Sequence, residues 1–416
     1  MKYNTRHLDG TKILLTVLCF FALYYPPIIG INTLHILAFF SYCYMVLCKE
    51  MRDLFFLVMR KSYSLLLIFV YLLLICVFKQ HINEIIGSFV LIFEVLPICC
   101  MLVHLIHVKC QNTKVDDCIV VASLCQSIIS LIAFFIPSFQ RLIIQWYIDY
   151  GFRDVFLRIS GWRMFGFSYT MTYAMPAVQG IIASYCLYKG INNNKKFFLF
   201  VPIILFSGII NARVAIIVFV IGALTVLGAS LSIKRFIPVC FAILLILFIP
   251  TVFLNYLTND ATKSWIESGI QSIFSFFNNT EYSNDSYFLY LEDSYRYQLP
   301  SSFLSKFLGE GHIARGDYSY TTDIGFINDI WLGGLVYCIA IVLFYVKKTS
   351  SMIVYYCKTF RKTLWFLIGI ITILILLNIK GRAFSWNELM ILWSFVYCNY
   401  ICEKYYLCKD LKRIST

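Results

Sequence analysis

The hydrophobic positions of this chain fall into long runs separated by short polar stretches. The runs hold roughly 15–24 apolar residues, and a helix of that length crosses about 30 Å of hydrocarbon. They predict about twelve transmembrane helices, at 12–28, 31–48, 64–79, 83–106, 118–137, 170–188, 197–211, 213–231, 236–257, 326–346, 364–379 and 388–402. We therefore expect an all-α fold, a polytopic transmembrane bundle with residues 1–416 in one membrane domain.

Two segments between the runs are long, at 138–169 and 258–325. Loops beyond about 15 residues are uncommon and are usually functional or disordered. The first segment is aromatic and basic, and it contains Arg141, Arg153, Arg158, Arg163, Trp146, Tyr147, Tyr150 and Trp162. The second is polar, but regularly spaced apolar residues between Ile266 and Leu291 favour short amphipathic helices over disorder.

The loop charges predict the orientation of the bundle. With an even number of spans and both termini in the cytoplasm, the cytoplasmic segments hold 23 of the 35 basic residues. They carry 17 Lys and 6 Arg, whereas the exterior segments carry 4 Lys and 8 Arg. Topology requires positive charge of either kind, but only the guanidinium binds phosphate or carboxylate bidentately. The arginine-rich exterior indicates an anionic ligand there, with chance in a small sample as the alternative.

Composition agrees with a membrane protein. Hydrophobic residues make up 60% of the chain and charged residues 14%, against about a quarter charged in soluble domains. The net charge of +13 lies in short loops between apolar runs, so it reflects topology rather than nucleic-acid binding. Most of the sixteen cysteines lie inside apolar runs, where cysteine behaves as a small hydrophobe. No CxxC pair exists to hold zinc, and we expect neither a metal nor a cofactor.

Arg213 follows Asn211 in the sequence Ile210-Asn211-Ala212-Arg213, which predicts a tight outer turn between two short helices. A charge this close to hydrocarbon is costly and is usually functional. An arginine that snorkels to the interface is the alternative, and the nearby polar residues Ser207 and Asn211 weigh against it.

The densest polar stretch before a predicted span runs from Leu308 to Gly325 and contains His312, Arg315, Asp317 and Asp323. A carboxylate or imidazole here is a candidate general base for a sugar hydroxyl. Asp323 also suits an N-cap, since Asp is common just before helices. We leave both interpretations open for Asp323 and favour a solvated loop residue for Asp317.

Two further groups carry charge near the bundle. Lys380 and Arg382 lie in an exterior loop, against the topology rule, and either bind an anion or are neutralised by Glu388. Glu94 lies within the fourth span, where we favour a helix–helix hydrogen bond over part of a proton path.

Some motifs are absent, and the order of others resembles a known family. The sequence lacks Walker A, HExxH and GxSxG motifs, and the turn from Pro26 to Gly30 lacks the acid that lipid-linked mannosyltransferases usually carry. Over residues 160–400 the chain resembles the Wzy-type O-antigen and capsular polysaccharide polymerases, which are related to the O-antigen ligases. The resemblance rests, in order, on Ser207-Gly208 through Arg213, Leu308-Gly309-Glu310-Gly311, Thr322-Asp323-Ile324-Gly325-Phe326, Gly333-Gly334-Leu335 and Lys380-Gly381. The Arg-x10-Gly pattern of some members is missing.

The resemblance implies a GT-C-like bundle in the bacterial cytoplasmic membrane, with an active site that faces the periplasm. The implied reaction is metal-independent transfer of a glycan from undecaprenyl diphosphate to a second lipid-linked repeat unit. Membrane lipid and a separate chain-length regulator are the other implied partners, and nucleic acid is not one. On this hypothesis Arg213 and Arg382 hold the diphosphate with one of Arg153, Arg158 or Arg163, and Arg315 and Lys380 are further candidates. Asp323 or, alternatively, His312 deprotonates the acceptor.

Two other functions remain open from sequence. A ligase uses the same donor but tends to carry a His-Asn pair in the second long loop, and this chain has none. A flippase typically has short loops and several buried mid-span charges, whereas here Glu94 is the only clear one.

Overall fold

A computed structural model describes residues 5–28, 31–110, 113–151, 163–170, 173–192, 194–228, 297–314, 322–359, 370, 372–379 and 381–414. The helices are α1 (Thr5–Tyr24), α2 (Thr33–Leu47), α3 (Lys49–Lys61), α4 (Tyr63–Phe78), α5 (Ile82–Lys109), α6 (Val115–Phe135), α7 (Pro137–Asp149), α8 (Ala174–Asn192), α9 (Phe200–Ile209), α10 (Val214–Gly228), α11 (Phe303–Leu308), α12 (Gly325–Thr359) and α13 (Glu388–Ile414). A two-residue antiparallel pair, Pro27–Ile28 with Ile31–Asn32, joins α1 to α2. The described chain is therefore predominantly helical, as predicted.

Three helices are long and apolar enough to cross a membrane, namely Ile82–Lys109, Val115–Phe135 and Gly325–Tyr356. A fourth is added if α2 and α3, which are bent by 115° at Cys48, count as one span. Shorter apolar helices occupy Gly10–Tyr24, Tyr63–Phe78 and Val214–Val226. Helices capable of spanning a membrane are thus present, and the number twelve stays a prediction.

Helices cover most of the predicted spans within the described residues. The predicted turn between the two short helices at 197–211 and 213–231 is confirmed, because α9 ends at Ile209 and α10 begins at Val214. The predicted span at 236–257 lies outside the described residues, as do 364–369 and residue 371 of the predicted span at 364–379.

Two predicted loops are wrong in part. Residues 49–63 were expected to connect spans, but Lys49–Lys61 is a helix that buries Met51, Leu54, Phe55 and Val58. That spacing is the apolar stripe of an amphipathic helix. The long segment 138–169 likewise begins inside α7, whose first residue is Pro137, a position that proline favours. The helices predicted between Ile266 and Leu291 lie outside the described residues.

The connections gather into two groups. The arginine end comprises residues 24–28, 76–85, 163–170, 210–213, 308–314, 322–325, 378–379 and 381–388. Contacts join these segments: Tyr169 N donates to Tyr24 O (3.0 Å), Cys76 Sγ donates to Gly311 O (3.4 Å), and Phe326 N donates to Asn378 O (3.0 Å). The segments predicted to be exterior therefore lie together.

The lysine end comprises residues 48–62, 104–117, 185–197, 347–356 and 397–409, which hold most of the described lysines. Lys189 Nζ lies 2.7 Å from Asp117 Oδ1 and 3.1 Å from Asp116 Oδ2, and Lys409 pairs with Glu50. Among the described residues, the arginine end contains Arg163, Arg213 and Arg382, with Lys79 as its one lysine.

The segment 308–314 packs on a break in α12. Gly334 has φ +70° and ψ −176° inside the helix, so the backbone leaves helical geometry there. Glu310 N and Gly311 N donate to Trp331 O (2.6 Å) and Leu332 O (3.0 Å), two carbonyls next to the break. Segments that are weak motifs in the sequence, 308–311 and 333–335, are therefore one packed unit.

Gly334→Ala should destabilise the protein. Its Cβ would meet the carbonyl of Phe307, and its φ and ψ lie in a region that is essentially restricted to glycine, at a cost of about 1–3 kcal/mol for other residues. Overpacking adds about 1–3 kcal/mol. Gly10→Ala is the matched control, because a Cβ there meets nothing within 4 Å. Thermal unfolding in detergent should show a lower midpoint for Gly334→Ala alone, and equal midpoints for the two variants would contradict this packing.

Candidate functional site

The side chain of Asn211 links Met164 to the turn between α9 and α10 through hydrogen bonds. Its Oδ1 accepts from Met164 N at 2.7 Å, and its Nδ2 donates to Met164 O at 2.7 Å and to Ser207 O at 2.8 Å. The side chain is fully buried, so these bonds satisfy polar groups that water does not reach. Arg163, the neighbour of Met164, is thereby placed beside Arg213.

The positive charge of Arg213 acts on the guanidinium of Arg163. Burial lowers the pKa of Arg163, and the positive charge of Arg213 lowers it further. Both side chains are half-buried. Like charges held together by a hydrogen-bonded frame are stabilised when an anion binds between them. The Arg163–Arg213 pair is therefore a candidate anion site.

The rest of the segment 163–170 is also held by side chains. Gln126 of α6 donates to Phe165 O at 2.5 Å and accepts from Phe167 N at 3.3 Å. Tyr147 of α7 donates to Ser168 O at 2.9 Å. The segment has no helical or strand ladder, so these bonds supply the partners its backbone needs.

Glu388 is a correction to the sequence prediction. Neutralisation of Lys380 and Arg382 by Glu388 was one of two alternatives, but among the described residues its fully buried carboxylate accepts from Ser168 Oγ (2.6 Å), from Thr170 N (3.2 Å) and from Thr170 Oγ1. It therefore ties the end of the segment 163–170 to the start of α13.

Arg382 has a different carboxylate partner. Its Nε donates to Asp329 Oδ1 at 3.0 Å, and Asn378 Nδ2 donates to Asp329 Oδ2 at 3.0 Å. Asp329 is 1% exposed and Arg382 18% exposed, so water screens the pair weakly. Burial of the guanidinium lowers the pKa of Arg382, but the negative charge of Asp329 outweighs it, so the pKa is raised. Arg382 is thus held in place and its charge is compensated.

Close packing of two glycines joins α12 to the loop before α13. A Cβ on Gly325 would lie 2.5 Å from Gly381 O and 2.6 Å from Asn378 O, and a Cβ on Gly381 would strike Tyr173. Here backbones approach at distances that only glycine permits. The segment 322–326 and Gly381, which carry part of the family resemblance, are therefore in contact.

The two candidate bases have different surroundings. His312 is buried between His81 and Trp331, with ring centroids 5.1 and 5.3 Å away, and burial lowers its pKa. Asp323 is exposed. Thr322, not Asp323, accepts from the backbone N of Ile324 just before α12, at 3.2 Å. A buried neutral imidazole is the better proton acceptor near neutral pH.

The position of His312 depends on Asn328. This buried side chain accepts from Ala314 N at 2.8 Å and donates to Thr322 O at 2.8 Å. It thus holds residues 314 and 322 together at the start of α12. Glu310 beside His312 pairs with Lys79 at 2.7 Å.

Several candidates cannot be placed. Arg153, Arg158, Arg315 and Lys380 lie outside the described residues. Glu94 forms the helix–helix contact that was favoured, because its Oε2 lies 2.7 Å from His35 Nδ1. Within the described residues the structure therefore forms two separate centres, Arg163 with Arg213 and Arg382 with Asp329.

Sequence reasoning missed Asp329, although a carboxylate four residues into a predicted span is an uncommon and costly feature. It also missed Gln126, an amide in the apolar run 118–137. In both cases a polar residue inside a predicted span was the sequence signal that could have identified the site residue.

Comparisons with models of protein families, with curated proteins and with solved structures find no match to this chain. Fold and site define its class: a helical protein with membrane-length helices and an arginine-bearing end.

Asp329 and Arg382 should be strongly coupled. Asp329→Asn and Arg382→Gln should each destabilise the protein by about 3–5 kcal/mol, because each leaves a buried charge without its partner. The double variant should be destabilised by much less than the sum, which a double-mutant cycle of unfolding in detergent measures. Additive effects would contradict the pairing.

His312 predicts a pH dependence of stability. Its folded pKa lies below the unfolded value of about 6.5, so the unfolded state binds more protons as the pH falls past 6.5. Its contribution to stability should be complete above that pH and lost on the way down to the folded pKa. His312→Gln should therefore lose less stability than wild type between pH 7.5 and 5.5. If the midpoint of thermal unfolding changes equally with pH in the variant and the wild type, the imidazole is not desolvated.

Proposed function

We propose that the chain polymerises polysaccharide repeat units carried on undecaprenyl diphosphate, at the outer face of the bacterial cytoplasmic membrane. The observation that carries the proposal is the Arg163–Arg213 pair, which Asn211 holds at the end where arginine outnumbers lysine. Two adjacent guanidinium groups match a diphosphate, since each binds phosphate oxygens in bidentate fashion.

The reaction is a glycosyl transfer. The acceptor hydroxyl oxygen bonds to the anomeric carbon of the donor glycan, and the bond from that carbon to the diphosphate oxygen breaks. The electron pair leaves with undecaprenyl diphosphate, and the proton of the hydroxyl passes to a base. Arg163 and Arg213 stabilise the charge that develops on the leaving diphosphate.

His312 serves this scheme better than Asp323 as the base. Burial keeps the imidazole neutral near pH 7, so it is ready to accept a proton. Arg382 takes a positioning role, because Asp329 already compensates its charge. The proposal therefore moves the diphosphate contact from Arg382 to Arg163.

Replacing Arg213 tests the proposal. In a strain deleted for this gene, complementation with Arg213→Ala should yield surface lipopolysaccharide with a single repeat unit, while wild type restores the ladder on a gel. Arg213→Lys should restore little, because lysine lacks the planar fork. Arg141→Ala is the control, since Arg141 is exposed on α7, and it should restore the ladder fully.

The other gel patterns separate the alternatives. Loss of every repeat unit in the deletion strain would indicate a ligase or a flippase. A normal ladder with Arg213→Ala, at a normal protein level, would remove Arg213 from the site.

A further inference from the structure

Three aromatic rings lie together at the arginine end. Tyr25 and Tyr169 have ring centroids 5.1 Å apart, Tyr25 and Trp386 5.4 Å, and Tyr169 and Trp386 5.6 Å. Their planes differ by only 31–33°. Tyr25 is buried, whereas Tyr169 and Trp386 are half-buried. The rings therefore pack on one another in a tilted arrangement, unlike the perpendicular walls of a cage around a cation. We name these three residues the aromatic platform.

Glu388 holds the platform rigid. It binds Ser168 and Thr170, the two neighbours of Tyr169, and it lies two positions after Trp386. Tyr169 N also donates to Tyr24 O at 3.0 Å, which ties it to the residue before Tyr25. All three rings are thus connected through one buried carboxylate and one backbone bond. Such preorganisation reduces the entropy lost when a ligand binds.

The backbone at Tyr25 is unusual. Its φ is +32°, a value that is rare for a residue with a bulky side chain. Two prolines follow it, so its ψ is also restricted. Residues in such conformations concentrate at functional sites, and the inference runs from this outlier to a function.

Trp386 has a hydrogen-bond donor with no partner among the described residues. Its Nε1 is buried and has no acceptor within the part of the chain that the structure describes. A buried donor without a partner is unfavourable, and a ligand hydroxyl that reaches it removes this penalty. The platform therefore combines apolar ring faces with one polar donor.

We propose that the aromatic platform binds a sugar ring of the glycan substrate. The C–H face of a pyranose packs on the rings of Tyr169 and Trp386, and a sugar hydroxyl accepts from Trp386 Nε1. Glu388 is a positioning residue that aligns Tyr169 with Trp386. This inference rests on the proposed function, which supplies the glycan; the platform holds the saccharide and the arginine pair holds the diphosphate.

Calorimetric titration of the full-length protein in nanodiscs tests the platform. The probe is lipid-free oligosaccharide released by mild acid from the surface polysaccharide of the strain that carries the gene. Trp386→Leu and Tyr169→Leu should each weaken its binding by about fivefold, which corresponds to a loss of about 1 kcal/mol. Phe303→Leu is the control, because Phe303 is an aromatic residue of α11 that is 77% exposed and lies outside the platform, and it should bind as wild type.

Two Glu388 variants separate positioning from folding. Glu388→Ala should weaken oligosaccharide binding, and Glu388→Gln should restore it, because an amide still accepts from Ser168 Oγ and Thr170 N. Wild-type affinity in folded Trp386→Leu and Tyr169→Leu, or no binding by the wild-type protein, would overturn the platform. Choline binding that Trp386→Leu abolishes, without oligosaccharide binding, would overturn the choice of ligand.

A parallel titration with inorganic pyrophosphate isolates the proposed function. Arg213→Ala should lose pyrophosphate binding and keep oligosaccharide binding, and Trp386→Leu should do the reverse. If wild type binds the oligosaccharide but Arg213→Ala leaves pyrophosphate binding unchanged, the diphosphate role fails while the platform stands.

Discussion

The hydrogen bonds of residues 163–170 are the constraint on which the rest of the arginine end depends. Irregular backbone among apolar helices must find a partner for each buried N–H and C=O. Here Gln126, Asn211 and Glu388, from three different elements, supply those partners. The same hydrogen bonds also fix the positions of Arg163 and Tyr169. The candidate site therefore forms when the backbone of this segment finds its hydrogen-bond partners. A change to any of the three polar side chains therefore affects the site without touching a ligand.

The sequence predicted the features that depend on local patterns and missed those that depend on contacts between distant residues. Apolar runs predicted the helices well because burial of a whole segment is a local, additive effect. The amphipathic helix Lys49–Lys61 was missed because the charged residues of its polar face were interpreted as those of a loop. The turn at 210–213 was predicted from Asn211 and Arg213, but the partner of Asn211 is a backbone 47 residues away. Pairings such as Asp329 with Arg382 depend on tertiary approach, which periodicity does not contain.

The two ends of the molecule use charge differently. At the lysine end each described ammonium group with an acid nearby, such as Lys189 with Asp116 and Asp117, forms a contact that holds helices together. At the arginine end Arg382 does the same with Asp329, whereas Arg163 and Arg213 are placed next to a like charge. This difference in surroundings underlies the proposed anion-binding role of Arg163 and Arg213.

The bond from Thr170 to Glu388 joins residues 218 positions apart. Closing so long a stretch is entropically demanding, and contacts of this kind raise the contact order and slow folding. Ser168 and Thr170 must therefore wait for α13 before their polar groups are satisfied. During synthesis the helices up to α10 can associate earlier, through local contacts. The arginine end is thus completed late in assembly, and a chain that has not yet packed α13 has its helices but no finished site.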